Sequence, residues 1–263
     1  MKLPFHSNAP VQQSRMPKPT SVPEMEKVDV ATRYLNARTG GDYTDYYVAP
    51  GGRLLFLMMD IAGKRENAMH IAAAAQDVFH SISEERFSHE DAEDSAVLTD
   101  LLITMNKTII TEAGGVCCAP AFLGCYQQEI HVLTYINAGH TPAVLRDASG
   151  IQTLDANGLP LGLFSHSTHD SQFCALTPQS SLAVVSRGLV ETRTETGEFG
   201  VQGVKQFLQE NKYDAAQTIC QTLLDVVVKS KRKPRGITGS FNIPGMGKGE
   251  PNDVTVLAIF RQG

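Results

Sequence analysis

No apolar run in this sequence approaches the roughly 20 residues that a membrane-crossing helix needs. Nor does its start show the charged-then-apolar pattern of a secretory signal, so a cytoplasmic protein without a membrane span is expected. Cysteine is scarce. Cys117, Cys118, Cys125, Cys174 and Cys220 form no C-x-x-C pair and no Cys/His set at zinc-ligand spacing, which leaves reduced, mostly buried thiols. Excess positive charge is missing too: the formal net charge is -5, and no general nucleic-acid binder is expected. Gly247-Lys248 is no phosphate-binding loop, because Asn242 stands where the first glycine of that motif belongs and no helix pattern follows.

What remains is an ordinary globular composition, 42% hydrophobic and 19% charged over 263 residues, enough to bury a sizeable core. Five of the thirteen prolines fall within residues 1–24 among Ser, Gln and Asn. Residues 1–27 therefore read as an extended arm, mobile or draped over the surface, ahead of one domain spanning 28–263. That domain is organised around Arg53 to Gly63. Six consecutive apolar residues, Leu54 to Met59, run into Asp60, the pattern of a strand buried on both faces that delivers a carboxylate to its C-terminal edge. A second carboxylate, Asp42, follows the flexible pair Gly40-Gly41. If Tyr43–Val48 pairs with Leu54–Met59 across Pro50-Gly51-Gly52, Asp42 and Asp60 emerge at the same end of one hairpin. Such a pair is a place to look for a hard metal ion.

The spacing of Ala68, Ile71, Ala72, Ala75, Val78, Phe79 and Ile82 predicts an amphipathic helix of about four turns. An acidic loop with Glu84, Glu85, Glu90, Asp91, Glu93 and Asp94 follows, and a second helix from Val97 to Ile109. Ala121–Tyr126, Ile130–Asn137, Ala143–Arg146 and Ser181–Ser186 read as antiparallel strands. Residues 201–209 and 215–228 read as helices and Val254–Phe260 as the last strand. Between them, 229–250 carries Lys229, Lys231, Arg232, Lys233, Arg235 and Lys248 among glycines and reads as a flexible solvated loop, or else a docking strip for an acidic partner. Asp45 reads as a hairpin hydrogen-bonding residue and His140 as a hydrogen-bonded turn histidine.

GGDYTDYY at 40–47, LLFLMMDIAG at 54–63, YINAGHTPAVLRDASG at 135–150, GLPLGL at 158–163, SLAVVSRGLVETR at 181–193 and NDVTVLAIF at 252–260 stand in the order seen in the metal-dependent protein phosphatases, PPM. Together they resemble the bacterial SpoIIE and RsbU branch of that family. The resemblance implies an α+β fold, two packed antiparallel sheets flanked by helices. It also implies hydrolysis of phosphoserine or phosphothreonine on a regulatory protein by a Mn²⁺ or Mg²⁺ pair. The family's first two metal carboxylates match Asp42 and Asp60, with the backbone carbonyl of Ile61 as a further ligand. Its third, in a strand-end Thr-Asp-Gly, reads here Ser186-Arg187-Gly188, and its fourth falls on Asn252, with Asp253 beside it.

Exchanging an Asp for Arg beside a dication is costly. A unit charge pair at about 4 Å interacts by about 4 kcal/mol at an effective dielectric near 20. Either one ion bridges Asp42 and Asp60 weakly, or Arg187 fills the site and pairs with both carboxylates. Lys64 and Arg65 add positive charge nearby. Three functions stay open: a phosphatase with an incomplete metal centre, a pseudophosphatase that binds a phosphoprotein or regulatory partner without turnover, and a docking protein acting through its basic strip. A homodimer is compatible with each.

Overall fold

A computed structural model describes residues 15–35, 41–88, 92–195, 197–232 and 253–263. The chain enters through β1 (Val28–Leu35), β2 (Asp42–Ala49) and β3 (Arg53–Asp60), followed by helices α1 (Arg65–Phe87) and α2 (Asp94–Glu112). Six strands come next: β4 (Ala121–Gln127), β5 (Val132–Ala138), β6 (Ala143–Asp147), β7 (Gly150–Leu154), β8 (Gln172–Ala175) and β9 (Ser181–Val185). The short helix α3 (Arg187–Val190) and the two-residue strands β10 (Arg193–Thr194) and β11 (Gly197–Glu198) lead to α4 (Gly200–Glu210), α5 (Ala216–Arg232) and β12 (Val254–Arg261).

Two five-stranded antiparallel sheets result, ordered β2-β3-β4-β5-β8 and β1-β12-β9-β6-β7. The organising run shows how they stack. Leu55, Leu57 and Met59 of β3 pack with α1 and α2, whereas Leu54, Phe56 and Met58 point the other way, into the space between the sheets. There Phe56 stacks on Phe122 at 6.1 Å and Phe122 on Tyr135 at 5.6 Å, opposed by Leu182, Val184, Leu257 and Ile259 of the second sheet. The outer face of that sheet, with Val185, Val256 and Ala258, is covered by Val204 and Leu208 of α4 and Ile219 and Leu223 of α5. The order is helix, sheet, sheet, helix. Among the described residues no helix is long and apolar enough to cross a membrane.

Four elements differ from the sequence expectation. Helix α1 runs to Phe87, because Ser83 and Phe87 prolong its buried stripe beyond Phe79. Glu84 and Glu85 therefore sit on the helix rather than in a loop, and Glu90 and Asp91 lie outside the described residues. Strands β7 and β8 carry little burial, so no apolar alternation marked them. Residues 229–232 of the expected basic loop prolong α5, and 233–250 lie outside the described residues, as do 1–14.

Arg53, the first residue of β3, ties the hairpin to the helical layer. Its Nε donates to Asp94 Oδ1 at 2.9 Å in the first turn of α2, and its guanidinium lies 5.5 Å from the centre of the Phe87 ring. Both side chains are mostly buried. Arg53→Met is expected to cost about 1–2 kcal/mol, read from the urea midpoint. An unchanged midpoint would show the pair to be idle.

Candidate functional site

Strands β2 and β3 pair with Asp42 directly opposite Asp60, so the two carboxylates share one end of the hairpin. The second sheet brings up its own ends. Ser186 follows β9 and Asp253 precedes β12, and the two segments are joined where Ser186 N donates to Thr255 O and Thr255 N to Ser186 Oγ, each at 2.9 Å. Close backbone contact on both sides requires glycine. A Cβ on Gly41 would stand 2.0 Å from the Ile61 carbonyl oxygen, and one on Gly188 would stand 2.0 Å from the Asp253 carbonyl oxygen.

At this junction each carboxylate has a partner. Asp60 Oδ2 lies 3.3 Å from Arg187 Nε, and Asp253 Oδ2 lies 3.2 Å from Arg65 Nη1. Asp42 Oδ2 accepts a hydrogen bond from Thr255 Oγ1 at 2.6 Å. Burial pushes the Asp42 carboxyl up to about 7; hydrogen bonds from Thr255 and Ser186 oppose this, while the charges of Asp60 and Asp253 add to it. Burial also raises Asp60, and the Arg187 guanidinium pulls it back. Arg187 meets Asp60, one of the two carboxylates it would pair with in the alternative where it fills the site. It opens the short helix α3 just past the strand end, and Asp42 is bonded to Thr255. Of the basic pair after Asp60, Lys64 stays exposed while Arg65 reaches Asp253. The Ile61 carbonyl is packed against Gly41, and Asn252 lies outside the described residues.

A Mn²⁺ or Mg²⁺ pair does not fit this residue set. Guanidinium groups face Asp60 and Asp253, and the Thr255 hydroxyl already donates to Asp42 Oδ2. Among the described residues no three His, Cys, Asp or Glu side chains converge as a metal site.

Behind the hairpin lies a polar network that extends beyond the hairpin itself to helix α1. Asp45 is a hydrogen-bonding residue of the hairpin, as read, and it is fully buried on the face of β2 toward α1. Its carboxylate accepts from Tyr43 Oη at 2.5 Å, from the backbone N–H of Tyr46 at 2.8 Å, from His80 Nε2 at 3.0 Å and from Gln76 Nε2 at 3.2 Å. Burial works against its charge, but hydrogen bonds from His80, Thr20 and Tyr43 hold it below the ordinary carboxylate range, and the bond to Asp45 lifts His80 above the ordinary imidazole range. Gln76 also grips the arm through a two-bond fork: Lys18 N donates to Oε1 at 2.6 Å, and Nε2 donates to Lys18 O at 2.9 Å. Pro17 to Thr20 consequently form one wall of a cavity of about 240 Å³ that Asp42, Arg65, Asp253 and Thr255 also line.

His140 sits in a turn, as expected. Its backbone N–H donates to Asn137 Oδ1 at 2.8 Å, and burial draws its imidazole down to about 4, which keeps it neutral. Thr255, Gln76 and His80 were invisible to sequence reasoning. Thr255 is one more β-branched residue in a buried strand, and only the meeting of the two sheet ends gives its hydroxyl a role.

Comparison with known proteins matches the family described as stage II sporulation protein E (SpoIIE) to residues 50–259. The chain is 24% identical over 282 residues to Protein IcfG of Synechocystis sp., covering 99% of this chain and 42% of that one. It is 24% identical over 213 residues to phosphoserine phosphatase RsbU of Bacillus subtilis, covering 80% and 61%. The chain thus spans about half the length of these curated relatives. The solved RsbU and RsbW domains of Rv1364c from Mycobacterium tuberculosis superpose with a TM-score of 0.69 at 19% identity, over 93% of this chain and 64% of that one, a likeness of fold.

Proposed function

This chain belongs to the SpoIIE family, and from that premise we propose that it is an RsbU-like, PPM-type serine phosphatase domain of bacterial signalling in which ion pairs stand where the metal pair would. Its work is then to bind a regulatory protein at the junction of the two sheets, with turnover weak or absent. The observation that carries this reading is Arg187 Nε 3.3 Å from Asp60 Oδ2, at the place where the family motif supplies a metal-binding aspartate. A Mn²⁺ or Mg²⁺ pair would polarise water and shield phosphate charge. Here Arg187 and Arg65 supply fixed positive charge instead, which screens the carboxylates but activates no water. The substrate class follows by likeness to RsbU, a phosphoserine phosphatase, so the partner is proposed to carry a phosphorylatable serine or threonine.

The test is a calorimetric titration with Mn²⁺, with release of phosphate from a small aryl phosphate assayed in the same buffer. Neither saturable binding nor Mn²⁺-dependent release is expected. Saturable binding with turnover that disappears in Asp60→Asn would overturn the reading in favour of an active phosphatase built on Asp42 and Asp60.

A further inference from the structure

Residues 15–27 belong to no helix or strand, yet residues 15–20 are held against the body of the domain. Side chains of α1 hold them. Arg15 pairs with Asp77, and its backbone N–H donates to His70 Nδ1 at 3.4 Å. Gln76, only 6% exposed, makes the closer grip: its Oε1 accepts from the Lys18 N–H at 2.6 Å while its Nε2 donates to the Lys18 carbonyl at 2.9 Å. Nε2 also stands 3.3 Å from Thr20 Oγ1 and 3.2 Å from Asp45 Oδ2. Those partners fix the orientation of the amide, since reversing it would set an oxygen against the Lys18 carbonyl and the buried Asp45 carboxylate.

A fork of this kind reads backbone rather than side chain, taking one residue's N–H and C=O together as a neighbouring antiparallel strand would. Any residue with an amide hydrogen satisfies it, and proline does not. The prolines therefore set the register. Pro17 and Pro19 flank Lys18, so a slip of one residue either way would put a residue without an N–H opposite Gln76. Pro19 also confines Lys18 to extended backbone, and the segment arrives already shaped for the fork, losing little freedom on seating. Charge agrees with this fit: Arg15 and Lys18 are basic, and the receiving face carries Asp77 and the buried Asp45.

We propose that this face of α1 is a binding groove for an extended, proline-bracketed basic segment, and that the chain fills it in cis with its own residues 15–20. The contact is a strap laid on the domain, not a piece of its core: Arg15, Met16, Lys18 and Pro19 stay exposed, and one residue's N–H and C=O carry the register. Seated, Pro17 to Thr20 wall the cavity of about 240 Å³ beside Asp42 and Asp253. The strap closes that side of the junction until it is displaced. The inference is independent of whether the junction binds metal.

The experiment uses the full chain and a fluorescein-labelled peptide of residues 15–22, read by anisotropy. In the wild type the tethered strap stands at an effective concentration on the order of millimolar, and the free peptide binds weakly against it. Lys18→Pro removes the N–H that the fork reads, keeps the arm extended and leaves every residue of the folded body unchanged. It is expected to loosen the strap and tighten peptide binding by about tenfold, the worth of one such hydrogen bond. The same peptide carrying Lys18→Pro is expected to bind neither protein. In the wild type, an excess of the unaltered peptide should quicken deuterium exchange at the chain's own Lys18 amide severalfold. Equal binding of the peptide to both proteins, equal binding of both peptides, or no binding at all overturns the proposal and leaves the arm a fixed part of the fold. A wild type of twice the chain mass, reduced to one by Lys18→Pro, overturns seating in cis and assigns the groove to the arm of a second copy.

Discussion

Replacing Arg187 and Asn252 with aspartate is expected to tighten Mn²⁺ binding by about 100-fold. The first exchange converts a repulsive unit charge beside the dication into an attractive one. Each such contact at about 4 Å is worth about 4 kcal/mol at an effective dielectric near 20. The Arg187 side chain is 55% exposed, so water and salt screen much of that, and about 3 kcal/mol, or two decades in affinity, is the fair expectation. Arg187→Ala alone separates the two contributions: it removes the repulsion without adding a ligand and should recover only part of the gain. Asp60, no longer drawn to a guanidinium, is then free to face the ion. Calorimetric titration of the wild type and both variants decides the matter. Metal affinity that stays put in a folded double variant would mean that Arg187 is not what keeps metal away.

Asp45→Ala is expected to destabilise the fold by about 3–5 kcal/mol, because it strips a buried carboxylate from the donors gathered around it. The loss should depend on pH. Asp45 is held below its unfolded value, so its contribution is present above about pH 4 and fades as pH falls through the lower folded value. His80 is held above its unfolded value, so its contribution is full below about pH 6.5 and fades as pH rises through the higher folded value. The pair is therefore worth most between about pH 4 and 6.5, with both partners charged. Urea midpoints of wild type and Asp45→Ala should differ most in this window, narrow as pH rises and His80 loses its charge, and narrow further as pH falls and Asp45 is protonated. A difference that does not shrink as pH rises above about 6.5 would show that the His80 contact is incidental.

Much of the architecture is legible in the sequence because burial marks itself. Leu54 to Met59 can be so uniformly apolar only with cover on both faces, and the turn at Gly51-Gly52 then sets Asp42 against Asp60. Edges leave no such mark. Strand β8 belongs to its sheet through backbone bonds to β5, while Phe173 at its centre is exposed, so nothing in its side chains announces a strand. Asp45 is readable as a hydrogen-bonding residue of the hairpin, but its partners on the helix are not. Those partners are Gln76 and His80, more than thirty residues away on α1, and no local spacing announces them. The Arg187 position was recognisable, but its choice of one carboxylate was not, because Thr255 competes for Asp42 only once the sheets have met.

That meeting has a mechanical side. Thr255 with Asp42, Arg187 with Asp60 and Arg65 with Asp253 each join one half of the sandwich to the other, three rivets along a single seam. A seam closed by metal would open to a chelator; one closed by side chains is indifferent to chelators and yields instead to salt. Any partner that grips both lips pulls the halves together, and one that wedges between them pries them apart. Either way the whole domain registers the visitor, and news of binding can travel onward without a single covalent bond being broken.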